Sequence, residues 1–355
     1  MTAPGDISDR LQATVRDAAA QGTSLAITGA GTKRALGRTP AGEPLAVGTH
    51  CGVISYEPTE LVVTARAGTP LTDIASLLRD AGQALAFEPP DFAGRATLGG
   101  TVATGLAGPR RPYAGAVRDF VLGTRVLNGH GQILRFGGEV MKNVAGYDVS
   151  RLMTGAYGTL GVLLEVSLKV LPEAPATITL AQEASHQQAI ARTTELGKRP
   201  LPISAACCDG ETLFLRLCGT PSALAAAHRH IGGEEIAEAA SFWAGIREHT
   251  HPFFAGEQPL WRISVAPGAA PIRVAGQQLL DWGGAQRWLR SDESIARIRA
   301  AAADAGGHAT LYRGGDRDGE VFQPLPQGLL RLHRNLKAAF DPKGIFNPGR
   351  MYRDL

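Results

Sequence analysis

The feature that most constrains this chain is the stretch from Ala96 to Pro172, where three clusters of glycine and small residues lie between apolar runs. The first is Ala96-Thr97-Leu98-Gly99-Gly100-Thr101-Val102-Ala103-Thr104-Gly105. The second is Met141-Lys142-Asn143-Val144-Ala145-Gly146-Tyr147-Asp148, and the third Gly155-Ala156-Tyr157-Gly158-Thr159-Leu160-Gly161-Val162. Glycine clustered in this way marks backbone that approaches something closely or takes a positive φ. A long, phosphate-bearing ligand needs such approaches at several points at once.

Length sets the scale. At 355 residues the chain exceeds one simple core, so two domains, or a domain with a cap, are expected. Its 36 basic and 33 acidic residues nearly cancel, which argues against a dedicated nucleic-acid or anionic-membrane binder. Cys51, Cys207, Cys208 and Cys218 are too few and too badly spaced for a disulfide framework, a zinc site or an iron–sulfur cluster. Buried reduced thiols are the plain reading, and no metal is expected. The N-terminus has no basic-then-apolar signal region, and no run approaches the ~20 apolar residues of a membrane span. A soluble protein of the bacterial cytoplasm is expected, with peripheral contact at the inner membrane through partners left open.

Helices and strands alternate along the first half. Leu11, Val15, Ala18 and Ala19 recur at helical spacing and Gly22 stops them, predicting a helix over 7–21. Strands are expected at 24–28, 52–56, 60–67 and 83–87, with a helix over 71–80 opened by Pro70. Residues 117–128 and 132–136 read as a hairpin about Gly129-His130-Gly131. Asp148 is placed to cap a short helix, and 159–170 alternates as a strand. Beyond Pro172 the glycine patterning fades, and a second mix of strands and helices suggests a second domain. At the end, Leu329, Leu332, Leu336 and Phe340 form an apolar stripe on a helix that must stop before Pro342. A turn-rich segment, Asp341-Pro342-Lys343-Gly344-Ile345-Phe346-Asn347-Pro348-Gly349-Arg350, closes the chain.

Gly29-Ala30-Gly31-Thr32-Lys33 follows a strand, but Arg34 stands where a dinucleotide fingerprint needs its third glycine, and no helix follows. A Walker loop fails too. What remains is a strand-end turn whose N–H groups can form an anion nest, with the Thr32 hydroxyl and the Lys33 charge beside it. A plain turn is the alternative.

Taken together, residues 7–172 resemble the FAD-binding domain of the vanillyl-alcohol oxidase and p-cresol methylhydroxylase family. The D-P-x-G-x-x-N-P-G tail at 341–349 resembles that family's C-terminus. The Lys142–Asp148 run, the length and the Gly349-Arg350-Met351-Tyr352 ending are similar to the FAD-binding subunits of bacterial glycolate oxidases. The resemblance implies an α+β chain: a two-part FAD-binding domain over 1–172, a second α+β cap domain over 173–325, and a C-terminal helix and segment over 326–355 that returns to the first.

It also implies roles. Gly29, Ala30, Gly31, Thr32 and Lys33 would wrap the pyrophosphate of FAD. Thr97, Gly99 and Gly100 would bring backbone to the pyrophosphate and flavin. Gly115, Ala116 and Asp119 would line the ribityl and flavin region. Gly155, Gly158, Thr159, Gly161 and Val162 would hold the adenosine half, and Asn347 would sit near the isoalloxazine. Arg110 and Arg111 would either offset phosphate charge or be solvated. Lys33 stands where some relatives carry a flavin-linking His, so non-covalent FAD is expected.

Related D-2-hydroxyacid dehydrogenases carry an intact His-x-Gly-Asp-Gly-Asn segment and metal-binding histidines. Here that place offers Gly306-Gly307-His308-Ala309-Thr310 and, later, Gly314-Gly315-Asp316, and the motif is not intact. His308 is the one candidate general base. His228 and His230, and His249 and His251, read more simply as surface or core histidines than as metal ligands. The implied function is the FAD-binding subunit of a glycolate (D-2-hydroxyacid) oxidase or dehydrogenase complex, with a larger FAD-linked subunit and an iron–sulfur subunit as partners. A stand-alone oxidoreductase of another hydroxylated substrate, and an FAD-containing scaffold or electron relay, remain as alternatives.

Overall fold

The computed structural model describes residues 5–138 and 148–355. Lys142-Asn143-Val144-Ala145-Gly146-Tyr147 therefore lies outside the described residues. In chain order, the first half holds α1 (Ser8–Gln21), β1 (Leu25–Thr28), β2 (Glu43–Ala46), β3 (Val53–Glu57), β4 (Val62–Arg66), α2 (Leu71–Asp80), β5 (Gln83–Ala84) and α3 (Leu98–Thr104). It continues with α4 (Arg111–Ala114), α5 (Val117–Phe120), β6 (Val121–Leu127), β7 (Ile133–Gly137), α6 (Val149–Leu152), β8 (Val162–Lys169) and β9 (Leu171–Pro172).

β1 and β2 pair in parallel, and β1 also takes a bridge from Leu25 to Phe346 of the closing segment. Beside them lies an antiparallel sheet in the order β3-β4-β8-β6-β7. One apolar core joins the two parts, from Leu11 and Val15 of α1 through Ile74 and Leu78 of α2 to Val166 and Leu168 of β8. Ile345 and Phe346 complete it from the far end of the chain. Gly22, at φ 70°, ends α1 in the left-handed conformation that glycine adopts without strain. The Asp148 carboxylate accepts from the Arg151 N–H at 3.1 Å, which is the cap expected for α6.

Three local readings change. The apolar run 83–87 pairs as a strand only over Gln83–Ala84. Phe87 is buried in a turn that Glu88 closes at φ 47°. The first four residues of the expected strand at 117–128 form a helical turn, α5. The hairpin loop is wider than a two-residue turn because Leu127 pairs with Ile133. The Asn128 side chain organises it by accepting from the His130 and Gln132 N–H groups, both at 3.0 Å.

The second half holds β10 (Ala176–Glu183), α7 (His186–Leu196), β11 (Ile203–Cys208), β12 (Thr212–Gly219), α8 (Pro221–Ile231), β13 (Glu234–Glu235) and α9 (Ala239–Glu248). After these come β14 (Leu260–Ser264), β15 (Gln277–Asp281), β16 (Gln286–Arg290), α10 (Ile295–Asp304), β17 (His308–Arg313) and α11 (Gln327–Phe340). The strands form one eight-stranded sheet in the order β13-β10-β12-β11-β15-β16-β14-β17. Two apolar clusters, around Leu215 and Ile298, bury helices α7, α8 and α10. A third, around Trp243 and Trp288, reaches Leu36 and Leu106 of the first half. The architecture is α+β, as expected.

Polar clamps join the halves. Arg216 of β12 donates to both Glu88 oxygens, at 2.7 and 2.9 Å. Glu248 at the end of α9 accepts from the Asp91 and Phe92 N–H groups, at 3.0 and 2.7 Å. The Trp282 indole donates to the Gly108 carbonyl at 3.0 Å. Cys207 and Cys208 are buried, and burial pushes the Cys208 thiol up to about 11.

Candidate functional site

A cleft of about 960 Å³ opens along the end of β1. One wall is the turn from Gly29 to Arg34; the other includes Ala156, Tyr157, Gly158 and Gly161. Its floor is apolar, with Val47, Ala67, Ala103, Met153 and Leu163. Residues more than 300 positions apart meet here, since Asn347 and Arg350 also line it.

The turn is built to leave donors free. Gly31 takes φ 78°, and Arg34 N–H returns to the Gly31 carbonyl at 3.1 Å. Arg350, buried behind the turn, donates to the carbonyls of Lys33 (3.2 Å), Arg34 (3.1 Å) and Arg38 (2.7 Å). The carbonyls are thus drawn to one side. Among the described residues, none of the five N–H groups from Gly29 to Lys33 donates within the protein. Backbone donors rarely stay without a partner, so this row is a ready nest for an anion. A Cβ on Gly31 would meet nothing within 4 Å, so that position faces open cleft. Gly29 is different: a Cβ there would come within 2.7 Å of Thr97 Oγ1.

Lys33 is buried, with its ammonium 5.1 Å from the centre of the Phe92 ring and 3.5 Å from Thr32 Oγ1. Burial pulls its pKa down to about 8, against the opposing pull of Asp91 and Glu248. It forms no salt bridge among the described residues. A buried cation in this condition is stabilised by an incoming anion.

Thr97 caps α3, accepting from Gly100 N–H at 3.3 Å, and it lines the cleft with Gly99 and Gly100. Gly99 has a packing reason for its missing side chain, because a Cβ would lie 2.7 Å from that of Ala67. Gly158, at φ 70°, and Gly161 line the opposite wall. A Cβ on Gly158 would meet Asn347 Nδ2 at 2.7 Å. Asn347 itself is fully engaged. Its Oδ1 accepts from Ile27 N–H at 2.8 Å, and its Nδ2 donates to the Tyr157 carbonyl at 2.7 Å. It acts as a clasp between the two walls.

Other expected residues lie elsewhere. Gly115, Ala116 and Asp119 do not line the cleft. Their chemistry is local, with the Asp119 carboxylate accepting from Ala116 N–H at 2.8 Å to cap α5. Gly155, Thr159 and Val162 are also absent from the lining. The Thr159 hydroxyl donates to the Ala156 carbonyl at 2.7 Å, and Val162 is buried in β8. Neither Arg110 nor Arg111 lines the cleft. Arg110 N–H donates to Glu88, and the Arg111 guanidinium stacks 4.4 Å from the Trp282 ring.

His308, the candidate base, starts the edge strand β17 opposite Ser264, is exposed, and does not line the cleft. His249 is partly buried beside the aromatic cluster. It packs against Phe254, Trp288 and Tyr312, and burial lowers its pKa to about 3. Among the described residues, no group of three or more His, Cys, Asp or Glu side chains could hold a metal. Arg350 and Tyr157 were not marked as site residues in the sequence. The signal for Arg350 was its place right after the Asn347-Pro348-Gly349 turn, which folds back onto β1.

Among the described residues, a free donor nest, a buried unpaired cation and a long apolar cleft fit a dinucleotide with an anionic centre. Comparison with known proteins agrees. Residues 4–137 match the model of an FAD binding domain, and 314–351 that of the C-terminal domain of FAD linked oxidases. Glycolate oxidase subunit GlcE of Escherichia coli (strain K12) is 50% identical over 350 residues, covering 99% of both chains. The chain belongs to the GlcE family of FAD-linked oxidoreductases. Its cofactor is FAD. A D-2-hydroxyglutarate dehydrogenase of Xanthomonas citri pv. viticola is 32% identical over 182 residues, half of this chain and 38% of its own. In fold, 4-ethylphenol oxidase from Gulosibacter chungangensis aligns with a TM-score of 0.72 at 16% identity, over 99% of this chain and 88% of that one. This likeness shows that the GlcE-family chain shares that oxidase's fold.

Proposed function

We propose that this chain is the FAD-binding subunit of a glycolate (D-2-hydroxyacid) oxidase or dehydrogenase complex that converts glycolate to glyoxylate. The observation that carries the reading is the end-to-end 50% identity with E. coli GlcE, over nearly the full length of both chains. Bound FAD supplies the two-electron acceptor for oxidation at the substrate's α-carbon. The chain's own residues do the rest. The Gly29–Lys33 turn holds the anionic centre, Lys33 offsets its charge, and the Asn347 clasp fixes the spacing of the walls. FAD is held without a covalent bond. Among the described residues, Tyr157 is the phenol lining the cleft, and burial raises its pKa, which keeps it a poor nucleophile.

The partners in this reading are a larger FAD-linked subunit and an iron–sulfur subunit, with the chain in the cytoplasm or at the inner membrane through them. Among the described residues, no helix is long and apolar enough to cross a membrane. The position of His308 outside the cleft favours dependence on partners over a self-sufficient active site. The test is anaerobic stopped-flow reduction of the bound flavin by glycolate and D-lactate, for the chain alone and with both partner subunits. Reduction only in the assembled complex is expected. Rapid bleaching in the lone chain, lost on His308→Ala, would overturn the subunit reading in favour of a stand-alone enzyme.

A further inference from the structure

A strap from Glu88 to Gly94 runs between the two halves and beside Lys33. Glu88 (φ 47°), Phe92 (φ 51°), Ala93 (φ 62°) and Gly94 (φ 76°) all take the left-handed region, and Pro89 and Pro90 stiffen the span between them. Non-glycine residues keep that conformation only where neighbours fix them. The neighbour at the centre of the strap comes from the second half. Glu248 ends α9, and its side chain is 17% exposed. Its Oε2 accepts from the Phe92 N–H at 2.7 Å and from the Asp91 N–H at 3.0 Å. Its Oε1 accepts from Arg247 Nε at 2.7 Å. Held in this way, the Phe92 ring lies 5.1 Å from the Lys33 ammonium, within reach of a cation–π contact. None of Asp91, Phe92 or Glu248 lines the cleft, so their effect on a bound anion passes through Lys33, which does.

We infer that Glu248 is a positioning residue for FAD: it holds Phe92 against the Lys33 side chain and presents its own carboxylate charge toward that ammonium, so that the second half of the chain sets the anion site carried by the first. This rests on the reading of Lys33 as the cation that offsets the anionic centre. Other clamps tie the halves at other points, Arg216 at Glu88 and Trp282 at Gly108. Glu248 is the one that bonds Phe92 itself. Charge adds to the geometry. Burial lowers the Lys33 pKa to about 8, and Asp91 and Glu248 are the carboxylates that oppose it. Asp91 Oδ1 is buried and has no hydrogen-bond partner among the described residues. The remaining charges around Lys33 are positive: Arg34 beside it on the turn, Arg350, which donates to the Lys33 carbonyl at 3.2 Å, and Arg247, paired with Glu248. A carboxylate near a buried ammonium favours its charged form. Without Glu248 the ammonium gives up its proton at a lower pH, and the anion site loses its cation there.

The test titrates the full-length apoprotein with FAD across the Lys33 transition near pH 8, followed by flavin fluorescence, with amide hydrogen exchange at Asp91 and Phe92 as a second reading. Glu248→Ala removes both acceptor and charge. Glu248→Gln keeps an acceptor oxygen and removes the charge. Glu248→Ala is expected to raise exchange at Asp91 and Phe92 and to weaken FAD binding about 10-fold. Glu248→Gln should restore the protection, and most of the affinity at a pH below the transition, while the transition itself moves down by about half a pH unit. Arg216→Met breaks the clamp on Glu88 and should lower the melting temperature without moving the transition. Normal FAD affinity in Glu248→Ala with exchange raised would overturn the inference, because the strap would then be loose without consequence for the site. An equal shift in Arg216→Met would overturn it as well, by assigning the effect to general loosening of the halves. Lys33→Met separates the inference from the reading beneath it. If that variant keeps wild-type affinity and the wild-type transition, the reading of Lys33 fails and the inference with it. If Lys33→Met loses the transition but Glu248→Gln leaves it unmoved, the inference alone is overturned. Should Glu248→Ala fail to fold, the transition in Glu248→Gln still decides the outcome.

Discussion

Lys337 and Asp341 form a buried ion pair at 2.7 Å that ties α11 to the closing segment. The ammonium also donates to the Thr159 carbonyl at 2.8 Å and the Phe346 carbonyl at 2.7 Å. The carboxylate accepts from the Ile345 and Phe346 N–H groups, at 3.1 and 2.8 Å. Every charge is thus met by a partner, which a buried pair needs if it is not to cost stability. Removing one member strands the other. Lys337→Met is expected to destabilise the fold by about 3–5 kcal/mol. Urea unfolding of the chain, with and without FAD, measures it. A loss below 1 kcal/mol would show that the pair is solvated.

Gly31→Asp should weaken FAD binding with little effect on folding. The position faces open cleft, so the side chain has room, though its φ of 78° strains any residue but glycine. A carboxylate beside a bound anion costs roughly 1–4 kcal/mol. That corresponds to about 5- to 1,000-fold in Kd. Titration of the apoprotein with FAD, followed by flavin fluorescence, gives the number. Unchanged affinity would place the anionic centre away from this turn.

FAD affinity should fall as pH rises through about 8. Burial holds the Lys33 pKa near that value in the free protein, below its ordinary 10.5. An incoming anion favours the charged form, so binding takes up a proton once Lys33 has begun to lose its own. The sign for folding is opposite. Between pH 8 and 10.5 the unfolded chain binds more protons at this group, so its contribution to stability improves as pH rises across that window. Below pH 8 the full cost of burying the charge is present. Lys33→Met should flatten the pH dependence of Kd measured by calorimetry; a slope that persists in this variant assigns the titration to another group.

Asn347→Ala should loosen the clasp between the walls. It strands the Ile27 N–H and the Tyr157 carbonyl, at a cost of about 1–3 kcal/mol. It also places alanine at φ 42°. A lowered melting temperature is expected together with weaker FAD binding. Hydrogen exchange should rise at Ile27 and in the tail. If exchange rises in neither place, the side chain is not what joins them.

Acid precipitation of the holoprotein should leave all the flavin in the supernatant, as non-covalent binding requires. Flavin fluorescence in the washed pellet would show a covalent link.

Much of the local structure was legible because short-range physics sets it. The 3.6-residue spacing of Leu11, Val15 and Ala18 makes α1, and Gly22 ends it with a left-handed residue. The Asp148 cap and the strand at 162–169 follow in the same way. At 29–33 the sequence left a nest and a plain turn open, as glycines after a strand with no helix to consume the N–H groups. Glycine alone says less about what lies beside it. Gly99, Gly115 and Gly161 are equally glycine in the sequence, yet Gly99 and Gly161 make room for Ala67 and Val126, and Gly115 sits in the α5 cap region. A missing side chain records that something is close and does not say whether it is ligand or protein.

By itself the sequence determined the α+β character and the family to which the cleft belongs, because these rest on patterns within a few tens of residues. Tertiary structure alone decided what surrounds the cleft. Arg350 draws off the carbonyls of a turn more than 300 positions away, and Asn347 spends both side-chain groups on protein rather than ligand. It also decided that Lys33 is buried without an ion partner among the described residues, that His308 lies outside the cleft, and that Leu329 and Leu332 project past the core that their stripe predicts they should join. Each depends on which distant surfaces meet, and hydrogen bonding and desolvation act only on groups already brought within a few ångströms.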